Sequence, residues 1–153
     1  MVFKMKLEDA IKQTAFKSEE ERLVINLVYT SGWLSSEQNR FFKRFHISSQ
    51  QYNVLRILRG QYPNPASVGL IQERMLDKMS NASRLIEKLK QKKLIKRSEC
   101  SKDRRQVDVL VTQEGLMLLE EIDKLSNEMN GICDTLNLKE KKTLNELLDK
   151  LRK

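Results

Sequence analysis

Apolar positions recur at helical spacing over most of this chain and alternate over one short stretch. Leu23, Leu27, Trp33, Leu34, Phe41 and Phe45 predict a long helix over 16–45, loosened in its middle by Ser31 and Gly32. In "ISSQQYNVLRILRG", Ser48 or Ser49 can cap a helix whose stripe is Tyr52, Leu55 and Leu58, with Gly60 where a C-cap is expected. "QYPNPAS" is a loop, because its prolines cannot continue a helix. "SVGLIQERML", capped by Ser67, is a short helix, and "KMSNASRLIEKLKQK" is the next. "LIKRSE" and "VDVLVT" then form a ribbon around the turn "CSKDRRQ", with Val107, Val109 and Val111 close to period two. Thr112 can cap a final long helix carrying Leu116, Leu119, Ile122 and Leu125. Asn130 and Gly131 interrupt it, and "LKEKKTLNELLDKLRK" is a last amphipathic helix.

This order predicts a mainly α fold with a two-stranded β wing, a winged helix-turn-helix. Residues 46–112 form its core, and helices at 1–45 and 113–153 lie outside it. In such a unit two helices lock a third, which enters a groove. The third helix here, around 79–92, turns Ala82, Leu85, Ile86 and Leu89 to the core. Its other face carries Ser80, Arg84 and Glu87, flanked by Asn81, Ser83 and Lys88. Small polar residues allow close approach to base edges, and Arg grips guanine bidentately. The plainer alternative is an ordinary solvated helix face.

Charge shifts that balance. The chain has 153 residues and a net charge of +8. Residues 78–106 hold eleven basic and three acidic residues, an excess of eight, while the remainder holds eighteen of each. The whole excess therefore lies in one continuous segment, which points to a polyanionic partner. At the wing, expected at 98–107, Arg104 and Arg105 are adjacent and cannot both face one side of a strand. One guanidinium projecting from a narrow ribbon suits the minor groove, and Asp103 can pair with an arginine and aim it. Lys96, Arg97 and Lys102 read as contacts to the phosphate backbone.

Three stretches together resemble the MarR family of bacterial transcription regulators: "ISSQQYNVLRIL", "LIQERMLDKMSNASRLIEKLKQKKLIKR" and "DRRQVDVLVTQEG", the last with a Thr-x-x-Gly run into the following helix. The resemblance covers residues 47–115. It implies an obligate homodimer built from the terminal helices, placing two winged domains on a pseudo-palindromic duplex-DNA operator. It carries the major-groove positions onto Ser80, Asn81, Ser83 and Arg84, and the wing onto Arg104 and Arg105, with Arg105 favoured for the minor groove. It also implies a small aromatic ligand between the dimer helices and the winged domain, for which Trp33, Phe41, Phe45 and Tyr52 are candidate lining. Ordinary core packing is the plainer reading of those four. Three departures stand out. Lys93-Leu94 replaces the family's usual Gly-Leu pair, Leu76-Asp77 replaces a common Gly-apolar pair, and the "YPNP" loop is unusual.

Other chemistries find little support. No apolar run approaches the roughly 18 residues of a membrane span, and the N-terminus lacks a signal-peptide pattern, so a cytoplasmic location is expected. In a reducing compartment Cys100 and Cys133 are free thiols. Basic neighbours give Cys100 a redox-sensing alternative. His46, the only histidine, argues against a His-rich metal site. No cofactor is expected, and without a Gly-rich phosphate loop or a nucleophile–base set an enzyme is not expected. The competing role for the same basic fold is an RNA-binding or protein-adaptor module. The absence of aromatics from 78–106 tells against single-strand stacking.

Overall fold

The computed structural model describes residues 5–99 and 107–152. It is mostly helical with one small antiparallel sheet. The chain divides into two compact units, 1–40 and 41–153. The first holds α1 (Leu7–Ile11) and most of α2 (Glu19–Lys43). Within it, Arg22 Nε donates to Glu8 Oε1 at 2.8 Å. The Glu8 backbone N–H first, and then the Arg22 guanidinium, donate to the Glu8 carboxylate and hold it below its ordinary range. Ser31 and Gly32 do not loosen α2, which runs unbroken through them. A Cβ on Gly32 would meet nothing within 4 Å, so this glycine serves no close approach.

The second unit contains α3 (Ser49–Gln61), β1 (Ala66–Ser67), α4 (Val68–Arg74), α5 (Ala82–Gln91), β2 (Ile95–Glu99), β3 (Val107–Val111), α6 (Gln113–Lys124), α7 (Ser126–Asn130) and α8 (Leu138–Leu151). Its core is built where the apolar stripes of these elements meet. Val54, Leu55 and Leu58 of α3, Ile71 of α4, Ala82, Ile86 and Leu89 of α5, and Leu119 and Ile122 of α6 are all buried. Val109 and Val111 add the inward face of β3. Phe42 is nearly inaccessible and stacks on Tyr52 with ring centroids 4.3 Å apart.

The capping residues explain where the helices start. Ser48 caps α3 in a reciprocal box with Gln51, Ser67 accepts from Leu70 N–H, and Thr112 accepts from Gly115 N–H. Gly60 does not end α3, which continues to Gln61 with Tyr62 as its C-cap. The expected two-stranded wing gains a third strand. Ala66 pairs with Val109 and Ser67 with Asp108, giving the order β1-β3-β2. The short stretch after Pro65 is extended, and β3 offers it a free edge opposite β2.

Two helices end in the same way. His46 and Lys93 have φ of 55° and 61°, in the left-handed region. Ile47 N–H bonds to Phe42 carbonyl and His46 N–H to Lys43 carbonyl; Leu94 N–H bonds to Leu89 carbonyl and Lys93 N–H to Lys90 carbonyl. Each is a Schellman motif with a residue other than glycine at its left-handed position. The departure at Lys93-Leu94 therefore keeps the glycine geometry without the glycine. Lys93→Gly relieves that strain at the cost of a looser unfolded chain, and the net expectation is a gain of about 0.5–1 kcal/mol. Thermal unfolding checks this: Tm should rise by a few degrees, and a fall would contradict it.

Candidate nucleic-acid interface

The approach to α5 is fixed by side chains from two other helices. Gln72 of α4 donates from Nε2 to the Ser80 carbonyl at 2.9 Å and accepts at Oε1 from Ala82 N–H at 3.1 Å. Asn53 of α3 accepts from Leu76 N–H at 2.9 Å. Asp77 accepts from the Ser80 hydroxyl at 2.7 Å and from Met79 N–H at 3.0 Å. Those bonds, the Ser80 hydroxyl first, hold the Asp77 carboxyl below its ordinary range, so it stays ionised and the turn stays closed at neutral pH.

The helix starts at Ala82, three residues later than the sequence suggested, and ends at Gln91. Asn81 is its N-cap and accepts from Arg84 N–H at 3.0 Å. Ser80 lies in the turn before it. Of the four residues expected to face bases, Ser80 and Asn81 thus have part of their hydrogen-bonding capacity committed to the fold. Asn81 keeps its amide N–H groups as donors. Ser83 and Arg84 are exposed, with no side-chain partner among the described residues. Lys88 and Lys90 are exposed on the same helix.

The ribbon follows directly. β2 and β3 pair from Ile95↔Val111 to Glu99↔Val107, and Lys96, Arg97 and Ser98 are exposed. Arg97 pairs with Glu87 of α5 at 3.5 Å, tying the ribbon to the helix while both side chains remain about half exposed. Such a pair is weak and exchangeable. Lys92 is engaged differently: its ammonium donates to the His46 carbonyl and, at 3.4 Å, to Gln51 Oε1, linking the end of α5 to the start of α3. Arg84, Lys88, Lys90, Lys93 and Lys96 have no ion pair among the described residues. Lys102, Asp103, Arg104, Arg105 and Cys100 lie outside the described residues.

Three of the four candidate ligand residues lie in the second unit. Phe41 meets Phe42 edge-on at 5.2 Å and Phe45 at 5.5 Å, and Phe42 carries the cluster on to Tyr52. Phe45 also lines an open concavity of about 510 Å³ with Leu94, Met117 and Leu118. Trp33 belongs to the first unit, where it is 45% exposed. His46 is exposed at the left-handed end of α2, and Cys133 is an exposed free thiol. Among the described residues no group of three or more His, Cys, Asp or Glu is placed to hold a metal. No helix among them is long and apolar enough to cross a membrane.

Gln72, Asp77 and Asn53 escaped sequence reasoning. Asp77 carried a readable signal, since an Asp followed three residues later by Ser can close a turn on itself. Gln72 and Asn53 act across the fold and carried none.

Comparison with known proteins places this geometry. Residues 47–107 match the MarR family model. Over 113 residues, 74% of the chain, 27% of positions are identical to the HTH-type transcriptional regulator MgrA of Staphylococcus aureus, and 75% of that protein is covered. The fold matches a mutant MarR from E. coli complexed with operator DNA, with a TM-score of 0.77 and 18% identity over 90% of this chain and 99% of that one. It also matches Bordetella bronchiseptica BpsR, whose DNA binding is regulated by 6-hydroxynicotinic acid, with a TM-score of 0.68 and 23% identity over 84% of this chain and 99% of that one.

Proposed function

We propose that this chain, which matches the MarR family model over residues 47–107, is a MarR-family transcription regulator that acts as a homodimeric, sequence-specific repressor. In this reading α5 reads base edges in the major groove, and the wing at 98–107 reaches the minor groove through Arg105. Lys88, Arg97 and Lys102 hold the phosphate backbone. The observation that carries the reading is where the charge sits. The segment holding the chain's whole positive excess is α5 with the ribbon after it, and the start of that helix is pinned by Gln72 and Asp77. A preorganised helix loses little entropy on docking.

Dimerisation is supported by apolar side chains left uncovered on helices outside the winged core. Leu23, Val24, Val28 and Trp33 are exposed on α2, and Leu144, Leu147 and Leu151 on α8. Two copies related by a two-fold axis would present their α5 helices to half-sites roughly one helical turn apart. A small planar ligand in the concavity beside Phe45 is proposed as the signal for release, on the precedent of BpsR.

Two substitutions test the base-reading role. On a preferred duplex, Arg84→Ala should cost about 1–3 kcal/mol and relax base preference, because a bidentate contact carries sequence information. Lys102→Ala should weaken preferred and scrambled duplexes alike, since a phosphate contact does not. Gel-shift titrations on both duplexes separate these outcomes. Structured RNA competing as well as duplex DNA would instead favour an RNA-binding role.

A further inference from the structure

Leu76 and Met79 are the most exposed large apolar side chains among the described residues, at 86% and 93%. Both lie between α4 and α5. Met75, beside them in sequence, is buried at 1%. The segment is not a slack loop that happens to expose apolar atoms. Leu76 N–H is held by Asn53, Met79 N–H by Asp77, and the carbonyls on either side of Met79, those of Lys78 and Ser80, accept from Gln72. Met79 is therefore presented on a backbone fixed at four points, two residues before the N-cap of α5.

We propose that Met79 is a specificity-determining residue that packs against the 5-methyl group of a thymine in the major groove. The inference rests on α5 being the base-reading helix. Residues at the N-terminal end of such a helix lie nearest the base edges. The polar residues around Met79 can address hydrogen-bonding edges. The thymine methyl is the one apolar group on the major-groove edges of the four bases, and it needs an apolar partner. Methionine suits such a contact because it is unbranched, polarizable and long, so it conforms to a methyl group whose exact position varies with local DNA shape. The neighbouring Asp77 carboxylate is already occupied by the Ser80 hydroxyl and Met79 N–H, and the Lys78 ammonium donates to the Glu73 carbonyl, so the polar side chains of this turn are engaged while the Met79 side chain stands exposed.

Uracil differs from thymine only in lacking that methyl, which makes the test direct. A duplex recovered by the full-length chain from sheared genomic DNA is prepared with uracil replacing thymine at one position at a time. For the wild-type chain, one position in each half-site should lose about fourfold in affinity, the loss expected for one apolar carbon returned to water. For Met79→Ala, affinity for the thymine duplex should fall by a similar factor, and the uracil substitution at that position should have no further effect. Met79→Leu should restore most of the sensitivity. Because Met79 is exposed, all three proteins should unfold at the same temperature. If uracil is neutral everywhere, or if wild type and Met79→Ala lose equally at the same position, the proposal is overturned while DNA reading by α5 stands. If the chain recovers no preferred duplex, the DNA-reading premise fails and this inference with it.

Discussion

Gly115→Ala lowers the stability of the second unit by about 3 kcal/mol, although Ala is the better helix former by about 1 kcal/mol. Gly115 stands in the first turn of α6, where its N–H donates to Thr112 Oγ at 3.1 Å. The Thr112 hydroxyl donates in turn to the Lys93 carbonyl at 2.8 Å, and Thr112 N–H bonds to the Leu94 carbonyl at 3.1 Å. These bonds draw the backbone leaving α5 directly across the start of α6. A Cβ on Gly115 would sit 2.3 Å from the Leu94 carbonyl oxygen and 2.7 Å from Val111 Cγ2. The obstructing atom is backbone inside a hydrogen-bonded corner, so it cannot rotate away. Its φ is not positive, so the requirement for glycine is one of space alone. Thermal unfolding followed by circular dichroism at fixed protein concentration should show Tm reduced by roughly 10 °C. Gly32→Ala, with open space around it, should show no such loss. Equal behaviour of the two variants would contradict the close approach.

The physical role of the Thr-x-x-Gly run is thus a corner that joins the end of α5, the strand after it and α6. The sequence made the cap visible at Thr112, because its chemistry is local. It could not show why Gly115 follows, since the obstructing carbonyl comes from Leu94, twenty-one residues earlier. The same division holds elsewhere. Ser67 is legible as a cap and Ser48 as one of two candidates with Ser49, and Ala82, Leu85, Ile86 and Leu89 are legible as a core stripe, of which Leu85 is only partly buried. Phe42 was passed over in favour of a stripe ending in Phe41 and Phe45, because its burial depends on Tyr52 of the next helix. Gly60 was misplaced as a C-cap, since glycine composition alone does not report φ. Among the described residues the left-handed positions are Lys12, His46 and Lys93, which a rule based on glycine cannot find.

At the candidate interface the polar face of α5 was legible from periodicity, with Arg84, Ser83 and Lys88 exposed as expected. The start of the helix was not. Ser, Asn and Ser within five residues offer several caps, and the choice of Asn81 is made by Gln72 of α4, which fixes Ser80 and Ala82 on either side of it. The third strand was invisible for a related reason: two residues of extended backbone carry no period, and only the free edge of β3 turns them into a strand.

The second large effect concerns salt. Arg84, Lys88 and Lys90 of α5, Lys93 in the link after it and Lys96 of β2 are exposed and have no ion pair among the described residues. Each phosphate they neutralise releases condensed counterions, so affinity should fall steeply as salt rises. With about 6–10 phosphate contacts in the proposed two-fold complex, binding should weaken about 10³- to 10⁵-fold between roughly 50 and 200 mM salt. Base contacts behave differently. They add affinity that depends little on salt, so they set an offset between duplexes rather than a slope.

That distinction gives the most direct measurement of whether this chain reads DNA sequence with α5. Affinity is titrated against salt on a duplex recovered from sheared genomic DNA and on a scrambled duplex of the same length and composition. Two steep, nearly parallel lines separated by a hundredfold or more in affinity are expected. Two coincident lines would show a basic surface that holds DNA without reading it and would contradict the account.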